Sequence, residues 1–157
     1  VEYRVLGDGP SAAALAELTK TLGIEEQVAF EGRVDSVRVR EALQEADILL
    51  APSITGPGGE QEGLPNSLKE AMATGIPSIT TNTGGIPELI QEGQTGYIVD
   101  EKDALALAEK VTRLVRNWHL GRAVIDEARR KIETEYDLAS LNQDIEVIYR
   151  EVARDFG

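Results

Sequence analysis

At 157 residues, with 28% charged side chains and a formal net charge of −12, the chain suits one domain burying roughly two thirds of its unfolded surface. That acidity argues against nucleic acid or an anionic bilayer as its partner, so an anionic ligand must be held by local dipoles and particular side chains. Cysteine is absent, which excludes disulfides, thiolate metal sites and cysteine nucleophiles; no apolar run approaches the ~20 residues of a membrane span, and the cytoplasm is the expected location.

The chain opens as a strand over 1–6, without an initiator methionine, and continues through Gly7-Asp8-Gly9-Pro10 into a helical pattern over 10–22. A second strand, 28–31, runs through Gly32-Arg33-Val34 to a helix over 36–46. The third strand, 47–51, opens onto the only long loop in the pattern, 53–63, rich in glycine and proline, which leads to a helix over 65–74. Then come a strand over 77–81, a Thr-Gly-Gly turn, a short helix over 86–91 and a strand over 96–99. Helices over 102–116, 119–134 and 138–154 close the chain. Alternation of this kind predicts an α/β fold, a Rossmann-like parallel sheet with helices on both faces, plus two C-terminal helices. The loops after the first four strands all leave carboxyl ends, the edge at which open α/β sheets bind ligands.

One stretch on that edge carries the most chemistry. Glu62 and Glu70 are separated by seven residues, with Gly63-Leu64-Pro65 and a helix start between them. Pro65, with its preset φ, is expected at the first helical position, leaving the amides of Asn66, Ser67 and Leu68 open at the positive end of the helix, where a phosphate is welcome. Glu70, one turn on from Asn66, looks back toward the same mouth, and Glu62 faces it from outside the helix. A carboxylate accepts two hydrogen bonds at once, so each can hold a vicinal diol. Phosphate between two diol binders describes a nucleotide sugar. The plainer alternative is an amphipathic helix with two solvated glutamates, since Leu64, Leu68, Ala71, Met72 and Gly75 recur at helical spacing.

Other residues speak to other chemistries. Gly7-x-Gly9-x-x-Ala12 after a strand, with Glu31 ending the next, is a dinucleotide fingerprint in its alanine variant, weakened by Pro10, which has no amide to offer pyrophosphate. His119 is the only histidine and no Asp-x-Asp pair occurs, so metal chemistry has little support. There is no Gly-x-Ser-x-Gly elbow for a hydrolase. A response-regulator-like pocket is not built either, because Asp8 and Asp47 do not share a strand-end edge. Leu138, Leu141, Ile145, Ile148 and Val152 step by three and four along the last helix, a stripe whose simplest use is packing on its own sheet.

The ordered run Ala51-Pro52-Ser53, Glu62-Gly63-Leu64-Pro65-Asn66-Ser67-Leu68-Lys69-Glu70, Ala71 to Pro77, Thr83-Gly84-Gly85-Ile86-Pro87-Glu88 and Gly93 to Tyr97 resembles the donor-site signature of the retaining glycosyltransferases of family four. The resemblance covers nearly the whole chain. It implies the C-terminal, donor-binding domain of a GT-B enzyme, incomplete at its N-terminus: a fragment lacking the acceptor domain, the first strand–helix unit and the Gly-Arg…Lys clamp on the diphosphate. The intact enzyme would transfer a hexose from a UDP- or GDP-sugar, with retention and without metal or other cofactor, to a saccharide or lipid-linked acceptor, the latter drawing it to the inner membrane face. By matching positions, Glu62 would hold hydroxyls of the transferred sugar near the anomeric centre. The amides of Gly63, Leu64, Asn66 and Ser67, around Pro65, would face sugar and phosphate, Glu70 would grip the ribose diol, and Arg33 and Val34 would line the base. The Thr55-Gly-Pro-Gly-Gly-Glu-Gln-Glu62 loop resembles that of enzymes of exopolysaccharide assembly. The resemblance also implies that part of the last helix crosses to the absent domain, so the isolated chain would expose an apolar strip and self-associate; with half the site and the clamp missing, it would transfer no sugar. A GT-B nucleotide-sugar epimerase and a nucleotide-binding module inactive on its own are the alternatives.

Overall fold

A computed structural model describes residues 1–155, which fold as two compact units, Val1–Glu45 and the chain from Ala46 onward. In the first unit β1 (Tyr3–Leu6) and β2 (Val28–Gly32) pair in parallel, with Tyr3 opposite Val28 and a register shift between Val5 and Leu6. Helix α1 (Ala12–Thr21) connects them and α2 (Ser36–Glu45) follows. Asp35 starts α2 by accepting the Arg38 amide on Oδ1 at 2.9 Å, one of the orphan donors of a first turn.

The second unit holds a three-stranded parallel sheet in the order β3 (Leu49–Ala51), β4 (Ser78–Thr81), β5 (Tyr97–Val99). Its helices are α3 (Asn66–Thr74), α4 (Ile86–Leu89), α5 (Ala104–Arg116), α6 (Trp118–Glu135) and α7 (Leu138–Asp155). The strands the sequence predicts as one sheet therefore form two, each parallel. All four residues of β4 are buried, as the middle strand of a sheet covered on both faces requires. Alternation along the strands separates two cores. Leu49, Ala51 and Ile98 pack with Leu68, Met72, Ile86, Leu89, Ile90 and Ala128. Ile48, Leu50, Ile79 and Tyr97 pack with Leu114 and Val124 on the opposite face. Helix α6 serves both through Val124 and Ala128.

Side-chain hydroxyls settle the polar groups of β4: Thr80 Oγ1 donates to the Ala51 carbonyl at 2.8 Å, and Thr81 Oγ1 to that of Ser53. Tyr97 is buried with its hydroxyl on the Leu120 carbonyl at 3.0 Å, and a Cβ on Gly96 would stand 3.0 Å from the Ser78 carbonyl, so both residues belong to packing. Among the described residues no buried side-chain nitrogen or oxygen lacks a partner. The stripe on α7 is a correction. Leu138 is 72% and Ile148 58% exposed, with Leu141, Ile145 and Val152 exposed beside them, so the helix does not lay this face on its own sheet.

Leu68 has no exposed surface and anchors α3 in the first core. Leu68→Ala should cost about 2–5 kcal/mol by the transfer-plus-cavity rule. Urea unfolding of the two proteins, followed by circular dichroism, checks it.

Candidate functional site

The 62–70 stretch lies where the sequence predicts, between the carboxyl end of β3 and the body of α3. The local start of α3 differs by one residue. Pro65, buried, has φ −59° and ψ 127°, so it precedes the helix as its cap and is not the first helical residue. The reason is its ψ, which stays extended while its carbonyl already accepts from the Lys69 amide at 3.4 Å. The open amides are unchanged: Asn66, Ser67 and Leu68 fill the first three helical positions, and no side chain caps them. Asn66 and Ser67 are exposed, as are Gly63 and Glu70, while Leu64 turns partly into the first core. Among the described residues the Glu70 carboxylate has no hydrogen-bond or ion-pair partner.

Glu62 is oriented by its neighbours. Ser53 Oγ donates to Glu62 Oε2 at 2.6 Å, tying the two ends of the loop together. Its carbonyl takes the Gly85 amide at 3.3 Å. Gly84 has φ +55°, and a Cβ there would stand 1.9 Å from the Glu62 carbonyl oxygen; one on Gly85 would stand 2.9 Å from that of Gly63. Only glycines permit this seat, because nothing else lets backbone lie on backbone so closely. The Thr-Gly-Gly turn thus supports the Glu62–Gly63–Leu64 turn from below.

Sequence reasoning missed the other support. Glu101, just past β5, accepts the Thr55 amide on Oε2 at 2.8 Å and the Thr55 hydroxyl on Oε1 at 2.6 Å. Thr55 Oγ1 also lies 3.1 Å from Thr83 Oγ1 and accepts from Gln61 Nε2 at 3.2 Å. Beyond Thr55 the loop closes on itself: the Gly56 amide donates to the Glu60 carbonyl at 2.8 Å and the Gly58 amide to Glu60 Oε2 at 2.9 Å. The Thr55 hydroxyl, then the Thr55 amide and the Thr83 hydroxyl, hold the Glu101 carboxyl below the usual carboxylate range, with Lys102 adding charge. Lys102 itself has φ +64°, the left-handed region that side chains avoid, and turns the chain directly after Glu101. The strand-end rule could have found Glu101, since it follows the fifth strand, but no motif marks it.

Arg33 and Val34 lie between β2 and α2 of the first unit; Arg33 is exposed and, among the described residues, without an ion pair. The dinucleotide fingerprint in that unit is consumed internally. The Gly7, Gly9 and Ala12 amides donate to the Gly32 carbonyl, Asp8 Oδ1 and the Gly9 carbonyl. Glu31 is gripped by both Nε and Nη2 of Arg38, at 2.7 and 2.6 Å, which depresses its pKa. The fingerprint's own amides and its carboxylate are thus engaged within the unit and not offered to pyrophosphate or ribose. His119 is exposed at the start of α6, and among the described residues no cluster of histidines and carboxylates suited to a metal is found. No helix among them is long and apolar enough to cross a membrane.

The profile of the family described as glycosyl transferases group 1 matches residues 1–131. The chain belongs to that family. It is 38% identical over 152 residues to the amylovoran biosynthesis glycosyltransferase AmsK of Erwinia amylovora, covering 97% of this chain and 36% of that protein. It is 36% identical over 151 residues to N-acetyl-alpha-D-glucosaminyl L-malate synthase of Bacillus anthracis, covering 96% and 38%. This group 1 chain therefore spans little more than a third of the length of these relatives. Its fold matches the crystal structure of Anabaena Alr3699/HepE in complex with UDP-glucose, with a TM-score of 0.84 at 22% identity, over 96% of this chain and 41% of that one.

The Glu101 link gives a pH dependence. A carboxylate with its folded pKa below its unfolded value stabilises the folded loop above the unfolded value, and that contribution is lost as pH falls through the folded one. The Thr55 amide should keep its protection at about pH 5 and lose it only below the ordinary glutamate pKa of about 4.3. Nuclear magnetic resonance of the Thr55 amide and the Glu101 carboxyl against pH tests this; loss of protection at or above the ordinary value contradicts it.

Proposed function

We propose that this chain holds the donor of a hexosyltransferase: a UDP- or GDP-sugar whose hexose passes, with retention, to a saccharide or lipid-linked acceptor. The observation that carries the reading is the oriented Glu62, seated on the Gly84–Gly85 turn directly before the uncapped start of α3, with Glu70 free one turn further on. Family membership supports transfer over epimerisation. The named activity of AmsK supports a role in polysaccharide biosynthesis, and the UDP-glucose bound to HepE supports the donor class.

Each residue then has a task. The amides of Asn66 and Ser67 meet the phosphate at the positive end of α3, so neither metal nor cofactor is assigned. Gly63 and Leu64 offer amides toward the sugar. Glu62, with one oxygen on Ser53, offers the other to hydroxyls of the transferred hexose close to the reacting carbon. Glu70 takes both hydroxyls of the ribose.

Calorimetric titration of the chain with UDP and with GDP separates these tasks. Glu70→Ala should weaken nucleoside diphosphate binding roughly 10–100-fold, the loss of one charge-assisted contact worth about 1.5–3 kcal/mol. Glu62→Ala should leave diphosphate binding nearly intact and weaken the nucleotide sugar, and in the whole enzyme it should cut turnover. Equal losses of diphosphate affinity in the two variants would overturn this division, and no loss in either would return both glutamates to solvent.

A further inference from the structure

We infer that Glu101 is a positioning residue for Glu62: through Thr55 it fixes the 53–63 loop and thereby governs binding of the transferred sugar without touching the nucleotide. The role assigned to Glu62 is the one proposed above; the loop geometry stands apart from it.

The loop would otherwise be free. Its eleven residues from Ser53 include four glycines and a proline, and Ile54 in it is 53% exposed, so packing does not hold it. Polar links hold it instead, and those made by Thr55 and Gln61 lead to one side chain. Both oxygens of Glu101 are engaged by Thr55, by its amide and its hydroxyl, so the carboxylate sets the direction in which the loop leaves the sheet. Thr55 in turn takes Gln61 Nε2, and Gln61 adjoins Glu62. The path from Glu101 to Glu62 is two hydrogen bonds and one peptide unit. Ser53 closes the same ring from the other side, bonding Glu62 by its hydroxyl and accepting from Thr81 by its carbonyl.

The turn after β5 is built to deliver that carboxylate. Its backbone reverses at Lys102 in the left-handed region, the only non-glycine with positive φ among the described residues. Asp103 then starts α5, its Oδ1 accepting the Ala106 amide at 2.9 Å. A residue held in a costly conformation beside an engaged carboxylate indicates that its surroundings over-determine the site.

Two variants and two measurements test this on the 157-residue chain. In Glu101→Ala, exchange of the Thr55 amide should accelerate about 10–100-fold, as loss of a charge-assisted hydrogen bond implies. The amides of Gln61 to Gly63 should shift in the spectrum. In Glu101→Gln, whose amide oxygen still accepts from the Thr55 amide, most protection should return. Calorimetry with UDP, GDP, UDP-glucose and GDP-mannose supplies the second readout. Glu101→Ala should leave the affinity for whichever diphosphate binds within about twofold, while the extra affinity contributed by the sugar falls about tenfold.

Unchanged Thr55 exchange in Glu101→Ala overturns the link. Faster exchange with the sugar's contribution intact overturns the positioning role, leaving Glu101 merely structural. If neither diphosphate binds the wild-type chain, the donor reading fails separately. Positioning of Glu62 is then decided by whether its amide moves in Glu101→Ala and recovers in Glu101→Gln.

Discussion

Backbone lying on backbone is the constraint around which the second unit is arranged. At Gly84 and Gly85 the chain passes so near the carbonyls of Glu62 and Gly63 that no side chain fits between them. The turn before α3 is therefore seated against the turn after β4, and β4 is the most deeply buried strand of the sheet. Rigidity passes outward from there. The core fixes β4, β4 fixes the glycine turn, and the glycine turn fixes the height of Glu62. Sites carried on loops gain precision only from such support, because loop backbone has few partners of its own.

The lateral position of the loop is set by different physics. Hydroxyl-to-carboxylate bonds do this work twice, Ser53 on Glu62 and Thr55 on Glu101. Charge-assisted bonds are shorter and stronger than neutral ones, and they are directional in a way that apolar packing is not. They suit a segment whose glycines and proline leave little to bury. A loop held by few polar links also yields when one is removed, while the sheet beneath it stays intact. Vertical support by packing and lateral support by hydrogen bonds therefore fail independently.

What could be read in the sequence follows the range of the interactions responsible. The strands were legible because β-branched runs such as Ile79-Thr80-Thr81 signal a strand locally. The Glu62–Glu70 stretch was legible because turn, cap and helix lie within one short segment. The end of α4 was not. It stops at Leu89 because Thr95 Oγ1 takes the Gln91 amide and donates to the Leu89 carbonyl, which no helical periodicity announces. Pro65 shifted by one position for a similar reason, a backbone torsion its identity leaves open. Glu101 was the least legible, since it acts on a residue 46 positions earlier. The glycine turn stood between these cases: its tightness was readable, its contact with Glu62 was not. The stripe on α7 shows the converse, a clear local signal that does not say what the face meets.

Net charge of −12 raises the question of how an anionic ligand could be held at all. At about 0.1 M salt the Debye length is about 10 Å, so the remote carboxylates matter little and the nearby ones decide. Glu101 is engaged by the Thr55 amide and hydroxyl, with Lys102 beside it. Glu62 already accepts from Ser53 on one oxygen, and among the described residues its other oxygen and the Glu70 carboxylate have no partner. The first amides of α3 contribute roughly half a positive charge at the helix start. An arrangement in which carboxylates receive hydroxyls while amides receive phosphate separates the two kinds of partner in space. Ser53 is then more than a tether. Its hydroxyl makes to Glu62 a short bond of the kind that, under the proposed function, a sugar hydroxyl would make, so the carboxylate is oriented by its own chain.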